Sequence, residues 1–254
     1  MLYFSVISQD YIPYASVMLS TFRKYSYEKF IIFVDGTPTA PFAELCSKLE
    51  VKLYNIRPFI GTTSSTDTSA IPSLVFDACG LLPDFADVDY ATYIHADGFF
   101  LSRPALPSDV KNSFIAGVPL DGASTFIDTG LLHVNLRQFR GLSTMYKSWL
   151  EFEAPPCASP VSYFINDHFS TSVSILPSYL NDVVTNKAPI TDAEHQIAYV
   201  HLRDLNSAYT KQSPNYFLDR YRKAFATIDD SAKPYVRNCL TREFIDKFEL
   251  PINA

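Results

Sequence analysis

The sequence predicts an α/β fold, a single domain with a mainly parallel central sheet, flanking helices and further helices at the C-terminus. Apolar strand-like runs alternate with amphipathic stretches through the first part of the chain, the pattern of a parallel sheet with right-handed crossovers. An apolar share of 47% and an aromatic share of 15% over 254 residues supply enough side-chain volume for one large core. Polar side chains gather directly after several of the predicted strands, where open α/β sheets bind their ligands.

LYFSVI, Leu2 to Ile7, is mostly apolar, of strand length, and reads as a buried strand. In PYASVMLSTFRKY, Pro13 marks a helix start and Tyr14, Val17, Met18, Phe22 and Tyr25 follow at helical spacing. KFIIFVD is a second strand ending at Asp35, PFAELCSKLE places Phe42, Leu45, Cys46 and Leu49 on one helix face, and VKLYNI is a third strand. The Ser/Thr-rich stretch Gly61 to Ala70 is expected to be a mobile loop leading into the helical IPSLVFDACGLL. ATYI is the fourth strand, FIAGVPL and TGLLHVNL read as later strands, and LSTMYKSWLEF and PVSYFINDHF as helices. IAYVHL is a late strand, and two amphipathic helices, roughly Tyr216 to Phe225 and Lys233 to Phe248, pack on the outside. With no repeat or linker visible, residues 1–254 read as one domain, a core to about residue 206 and a helical region over 207–254.

A formal net charge of -6 with scattered basic residues excludes the electrostatic footprint of a nucleic-acid binder or an anionic membrane surface. Cys46, Cys79, Cys157 and Cys239 lie far apart and read as reduced thiols. No stretch approaches the roughly 18 apolar residues of a membrane span, and MLYFSVIS lacks a basic leader region. The expectation is a cytoplasmic protein or a domain of a longer chain, with its oligomeric state open.

The strand ends carry the chemistry. Ser8, Asp10 and Tyr11 follow the first strand, Asp35 the second, His95 and Asp97 the fourth, and His201 the late one. Two imidazoles and a carboxylate on one sheet edge, with coordination positions left for a diphosphate, suit Mn or Mg better than structural zinc. The plainer readings are a strand-end turn for Asp97-Gly98, a helix cap for Asp10 and Tyr11, a satisfied structural role for His201 and a core role for His133.

With these motifs in order, the chain resembles the GT-A glycosyltransferases of the glycogenin and lipopolysaccharide galactosyltransferase type, whose Rossmann-like domain uses a UDP-sugar and a Mn ion. YIHADGFFL is similar to that family's Asp-x-Asp motif with His95 in place of the first aspartate. FIDTGLLHVNLRQFR resembles its Asn-Ser/Ala-Gly strand with Asp128 replacing Asn, FINDHF its Asp-Gln-Asp helix with Asn166 and Asp167, and YVHLRDLN its metal-binding histidine at His201. The resemblance spans Leu2 to about Asn206 and implies metal ligation by His95, Asp97 and His201, with Mn2+ or Mg2+ as cofactor. It also implies donor contacts from Ser8, Asp10, Tyr11 and Asp35, with phosphate contacts from Arg203 or Lys211 because the family's Lys after the histidine is missing. The partners implied are a nucleotide-sugar donor and a saccharide or glycan acceptor.

Retention of anomeric configuration places Asn166 near the donor sugar; inversion would need Asp128, Asp167 or Asp121 as general base. A catalytically degenerate protein that binds nucleotide-sugars or glycans is the alternative that the missing first aspartate and missing Lys raise.

Overall fold

A computed structural model of the chain describes residues 1–60, 71–119, 126–153, 160–183, 197–202 and 214–251. Its strands are β1 (Leu2–Ile7), β2 (Lys29–Val34), β3 (Lys52–Asn55), β4 (Tyr90–Ile94), β5 (Gly98–Phe100), β6 (Ile115–Pro119), β7 (Ile127–Asn135), β8 (Val173–Ile175), β9 (Asp182–Val183) and β10 (Tyr199–His201). Its helices are α1 (Ile12–Tyr25), α2 (Ala40–Lys48), α3 (Arg57–Ile60), α4 (Ile71–Phe85), α5 (Leu136–Phe139), α6 (Leu142–Phe152), α7 (Pro160–Phe169), α8 (Pro214–Ala226), α9 (Lys233–Cys239) and α10 (Arg242–Phe248).

The central sheet has the order β3-β2-β1-β4-β7-β6-β8. Parallel pairing joins β3, β2, β1 and β4, whereas β7 runs antiparallel to both its neighbours. Period-two alternation divides each central strand between two cores: Tyr3 and Ile7 face one, Leu2, Phe4 and Val6 the other. Both faces are therefore dry, which is why β1 and β2 read as mostly apolar runs and not as an apolar–polar alternation. The chain moves away from β1 on one side through β2 and β3, then returns to its other side with β4. That reversal opens a crevice at the carboxyl ends of β1 and β4.

α1 covers one face by burying Ile12, Ala15, Leu19 and Phe22, and it ends where Ser26 turns to extended backbone (φ -149, ψ 131). Thr21 on its buried side donates to the Met18 carbonyl at 2.9 Å and accepts from the Phe100 amide at 3.0 Å, tying β5 to the helix.

The structure corrects two expectations. The late strand does not join the central sheet; it forms a second sheet of order β5-β10-β9, antiparallel to β5. The expected helix over 233–248 is two helices, because Leu240 is extended and Thr241 caps a new start by accepting from the Phe244 amide at 3.1 Å. The terminal helices also do more than coat the domain: Tyr221, Phe225, Val236, Phe244 and Phe248 are buried in the same core as α1. Among the described residues, no helix is long and apolar enough to cross a membrane.

Candidate functional site

β4 leaves the core at His95, and the turn that follows is clamped from two sides. The His95 amide donates to the Gly130 carbonyl at 2.9 Å, and the Leu202 amide donates to the Asp97 carbonyl at 3.0 Å. The Tyr199 hydroxyl donates to the His95 carbonyl. β5 then pairs with β10 so that Gly98 lies opposite His201. A Cβ at Gly98 would run into the Tyr199 ring and the Val200 carbonyl, so only glycine allows this approach. The turn Asp97-Gly98 is thus what docks the second sheet, besides closing the fourth strand.

Three ligand atoms converge there. One atom each from His95, Asp97 and His201 lies within 4.8 Å of the others. His95 Nδ1 contacts Asp97 Oδ1, and His201 Nε2 lies 3.1 Å from the same oxygen. Asp97 and His201 are buried, while His95 is partly open. Burial alone would raise the Asp97 carboxyl, but the charges of His95 and His201 outweigh it and hold it well below the usual carboxylate range. His201 moves the other way: burial would lower it, yet Asp128 and Asp97 push it up to about 10.

The chain resembles several solved structures in its fold. A galactosyltransferase, LgtC, crystallised with donor and acceptor sugar analogues, matches at a TM-score of 0.67 and 13% identity over 97% of this chain and 100% of that one. GlyE, a glycosyltransferase of Streptococcus pneumoniae TIGR4, matches at 0.66 and 13% identity, over 96% of this chain and 63% of that one. The bifunctional WbbM matches at 0.60 and 11% identity, over 94% of this chain and 51% of that one. No family model and no curated protein sequence matches the chain. The fold is GT-A.

Within this GT-A fold, His201 is held by residues that local sequence gives no reason to connect. Its Nδ1 donates to Asp128 Oδ1 at 2.7 Å, and the same oxygen accepts from the Gly130 amide at 2.7 Å and from Asn181 Nδ2 at 2.8 Å. A Cβ at Gly130 would strike the His201 imidazole and the Asp128 carboxylate, so the glycine of DTG makes room for a side chain of the same site. Asn181, 1% exposed, follows a short helical turn in a segment that carries no motif, and it was not legible in the sequence. With Nδ1–H committed to Asp128, Nε2 is left facing Asp97, where a proton or a metal ion satisfies both groups. The donor set therefore fits a divalent cation that accepts nitrogen as well as oxygen.

The remaining candidates distribute unevenly around this GT-A crevice. Asp10 and Tyr11 stand at its mouth, lining a cleft of about 460 Å³ with Tyr14, Asp97, the cap residue Thr241 and the α10 residues Glu243, Phe244 and Lys247. The Tyr11 ring meets the His95 ring edge-on at 5.7 Å. Ser8 lies just before this loop, its buried Oγ without a hydrogen-bond partner among the described residues. Asp35 is paired through both oxygens with Arg57, a partner the sequence reading missed. Asn166 Nδ2 donates back to the Ser162 carbonyl at 2.6 Å and Asp167 is exposed on α7; among the described contacts, neither touches the His95–Asp97–His201 group. Arg203, Lys211, Asp121 and the 61–70 loop lie outside the described residues.

Proposed function

We propose that this chain is a glycosyltransferase that moves a sugar from a nucleotide-sugar, a UDP-sugar, to a saccharide acceptor, with a divalent cation held by His95, Asp97 and His201. The observation that carries the reading is the convergence of those three ligand atoms beside an open cleft, at the crevice of a GT-A fold. Breaking the bond between an anomeric carbon and a diphosphate leaves negative charge on the departing group. A bound divalent cation supplies the Lewis acid that takes up this charge.

The protein's part is placement. Asp97 offers a carboxylate kept ionised by its neighbours. Asp128 fixes the His201 ring so that Nε2 points at the same place, and Asn181 and the Gly130 amide keep Asp128 still. An imidazole at position 95, where the family's motif carries a carboxylate, takes one negative charge out of the ligand set and turns preference toward Mn over Mg. Tyr11 and Asp10, at the mouth of the cleft, hold the nucleoside. Because Asp128 Oδ1 already accepts from three donors and the residue is 2% exposed, we assign it to positioning and not to general-base chemistry. This supports retention of configuration over inversion by Asp128, with Asn166 kept as the candidate near the donor sugar.

One observation favours a second reading, a protein that binds nucleotide-sugars without turnover. Asp97 Oδ1 is shared by both histidines, a closed arrangement that holds together with protons alone. The two readings separate by electron paramagnetic resonance of Mn binding, calorimetry with UDP, and UDP release from sugar donors. The transferase reading expects Mn binding, with Asp97→Ala weakening it about tenfold or more and abolishing UDP release. Release at full rate from Asp97→Ala overturns it, and binding without release across donors and acceptors favours the second reading.

A further inference from the structure

Resting on that reading, we infer that α10 completes the donor cleft and that Lys247 supplies the ammonium group that pairs with the donor's phosphates. The first wall of the cleft is the loop after β1 and the start of α1, with Gln9, Asp10, Tyr11 and Tyr14. Asp97 is its floor, and α10 with its cap Thr241 is the opposite wall through Glu243, Phe244 and Lys247. The terminal region, which the sequence resemblance does not reach, therefore borders the same space as the strand-end residues.

Charge makes the assignment. The described lining residues include three carboxylates, Asp10, Asp97 and Glu243, and one cationic side chain, Lys247. A diphosphate entering such a space is repelled unless cations answer it, since unlike charges a few ångströms apart gain several times more at a protein surface than in bulk water. A metal at His95, Asp97 and His201 answers from the floor, and Lys247 answers from the wall.

Packing gives the lysine its direction. Phe244 and Phe248 of α10 meet the Tyr14 ring edge-on at 4.8 and 5.9 Å, which fixes the helix against α1. Lys247 Nζ lies 3.3 Å from the Tyr14 hydroxyl and 6.0 and 5.9 Å from the Tyr14 and Phe248 ring centroids. The ammonium thus sits beside these rings in the lining of the cleft, placed to exchange a weak hydroxyl contact for a phosphate oxygen.

The test titrates UDP and uridine, in the presence of Mn, into the full chain and its Lys247→Ala and Lys247→Arg variants by calorimetry. Charge-assisted pairing expects Lys247→Ala to weaken UDP about ten- to hundredfold, with uridine affinity unchanged and Lys247→Arg close to the parent protein. UDP affinity unchanged in Lys247→Ala overturns the inference and leaves the transferase reading standing. Equal weakening of UDP and uridine also overturns it, because the loss is then one of cleft shape. Absence of UDP binding by the parent protein removes the transferase reading, and this inference with it.

Discussion

His201 and His133 are both buried histidines on β-strands, 4% and 1% exposed, and both have each ring nitrogen engaged. Their proton affinities nevertheless move in opposite directions. His133 lies 3.0 Å from the Lys111 carbonyl through Nε2 and 3.0 Å from Thr92 Oγ1 through Nδ1. The carbonyl can only accept, so Nε2 carries the hydrogen and Nδ1 takes the hydroxyl's, leaving a neutral ring that burial keeps below its ordinary value. His201 faces two carboxylates, which outweigh the same desolvation. Burial is common to both; the charge of the partners decides which histidine is a core residue and which is a cation or a cation's ligand.

The largest effect that could break this comparison comes from Asp128→Ala. It strips a buried imidazolium of one counter-charge, and the expected loss is about 3–5 kcal/mol of unfolding free energy, measured by urea denaturation. A loss below about 1 kcal/mol would mean that the Asp128–His201 contact is not an ion pair in solution. Thr92→Val is the matching change at His133: it leaves Nδ1 buried without a donor, with an expected cost of about 1–3 kcal/mol. If this neutral site costs as much as the charged one, charge is not what separates them.

The two residues also carry opposite signs in pH dependence. For His133 the folded value lies below 6.5, so the unfolded chain takes up the proton first and stability falls as pH drops below 6.5. The slope from this group is at most about 1.4 kcal/mol per pH unit. For His201 the folded value is raised to about 10, so its contribution is complete below 6.5 and disappears as pH rises toward 10. Two-dimensional NMR titration of the imidazoles in the metal-free protein reads both directly; parallel titrations near 6.5 would erase the distinction.

Much of the frame is legible in the order of residues alone. The alternation from β1 to β3 showed itself because β1 and β2, buried on both faces, leave mostly apolar runs, and α1 showed its Pro13 start and its helical spacing. His95 and Asp97 stood out because polar side chains interrupt an apolar run where β4 ends. The second sheet stayed hidden: a strand as short as β10 has no periodicity that tells which sheet it joins. The break between α9 and α10 was hidden as well, because a Thr241 cap inside a continuous amphipathic pattern changes no hydrophobic period.

By itself the sequence determined the α/β class, the strand-end positions of His95, Asp97 and His201, and the motif order that resembles the GT-A glycosyltransferases. These are consequences of local sterics and of hydrophobic period, which act over a few residues at a time. Only the tertiary structure decided that Asp128 grips His201 across 73 residues, that Asn181 secures Asp128 across 53, and that α10 walls the cleft. Such contacts bear the entropy of closing long loops and form only where packing on both sides of the sheet brings the partners together, so no local pattern announces them.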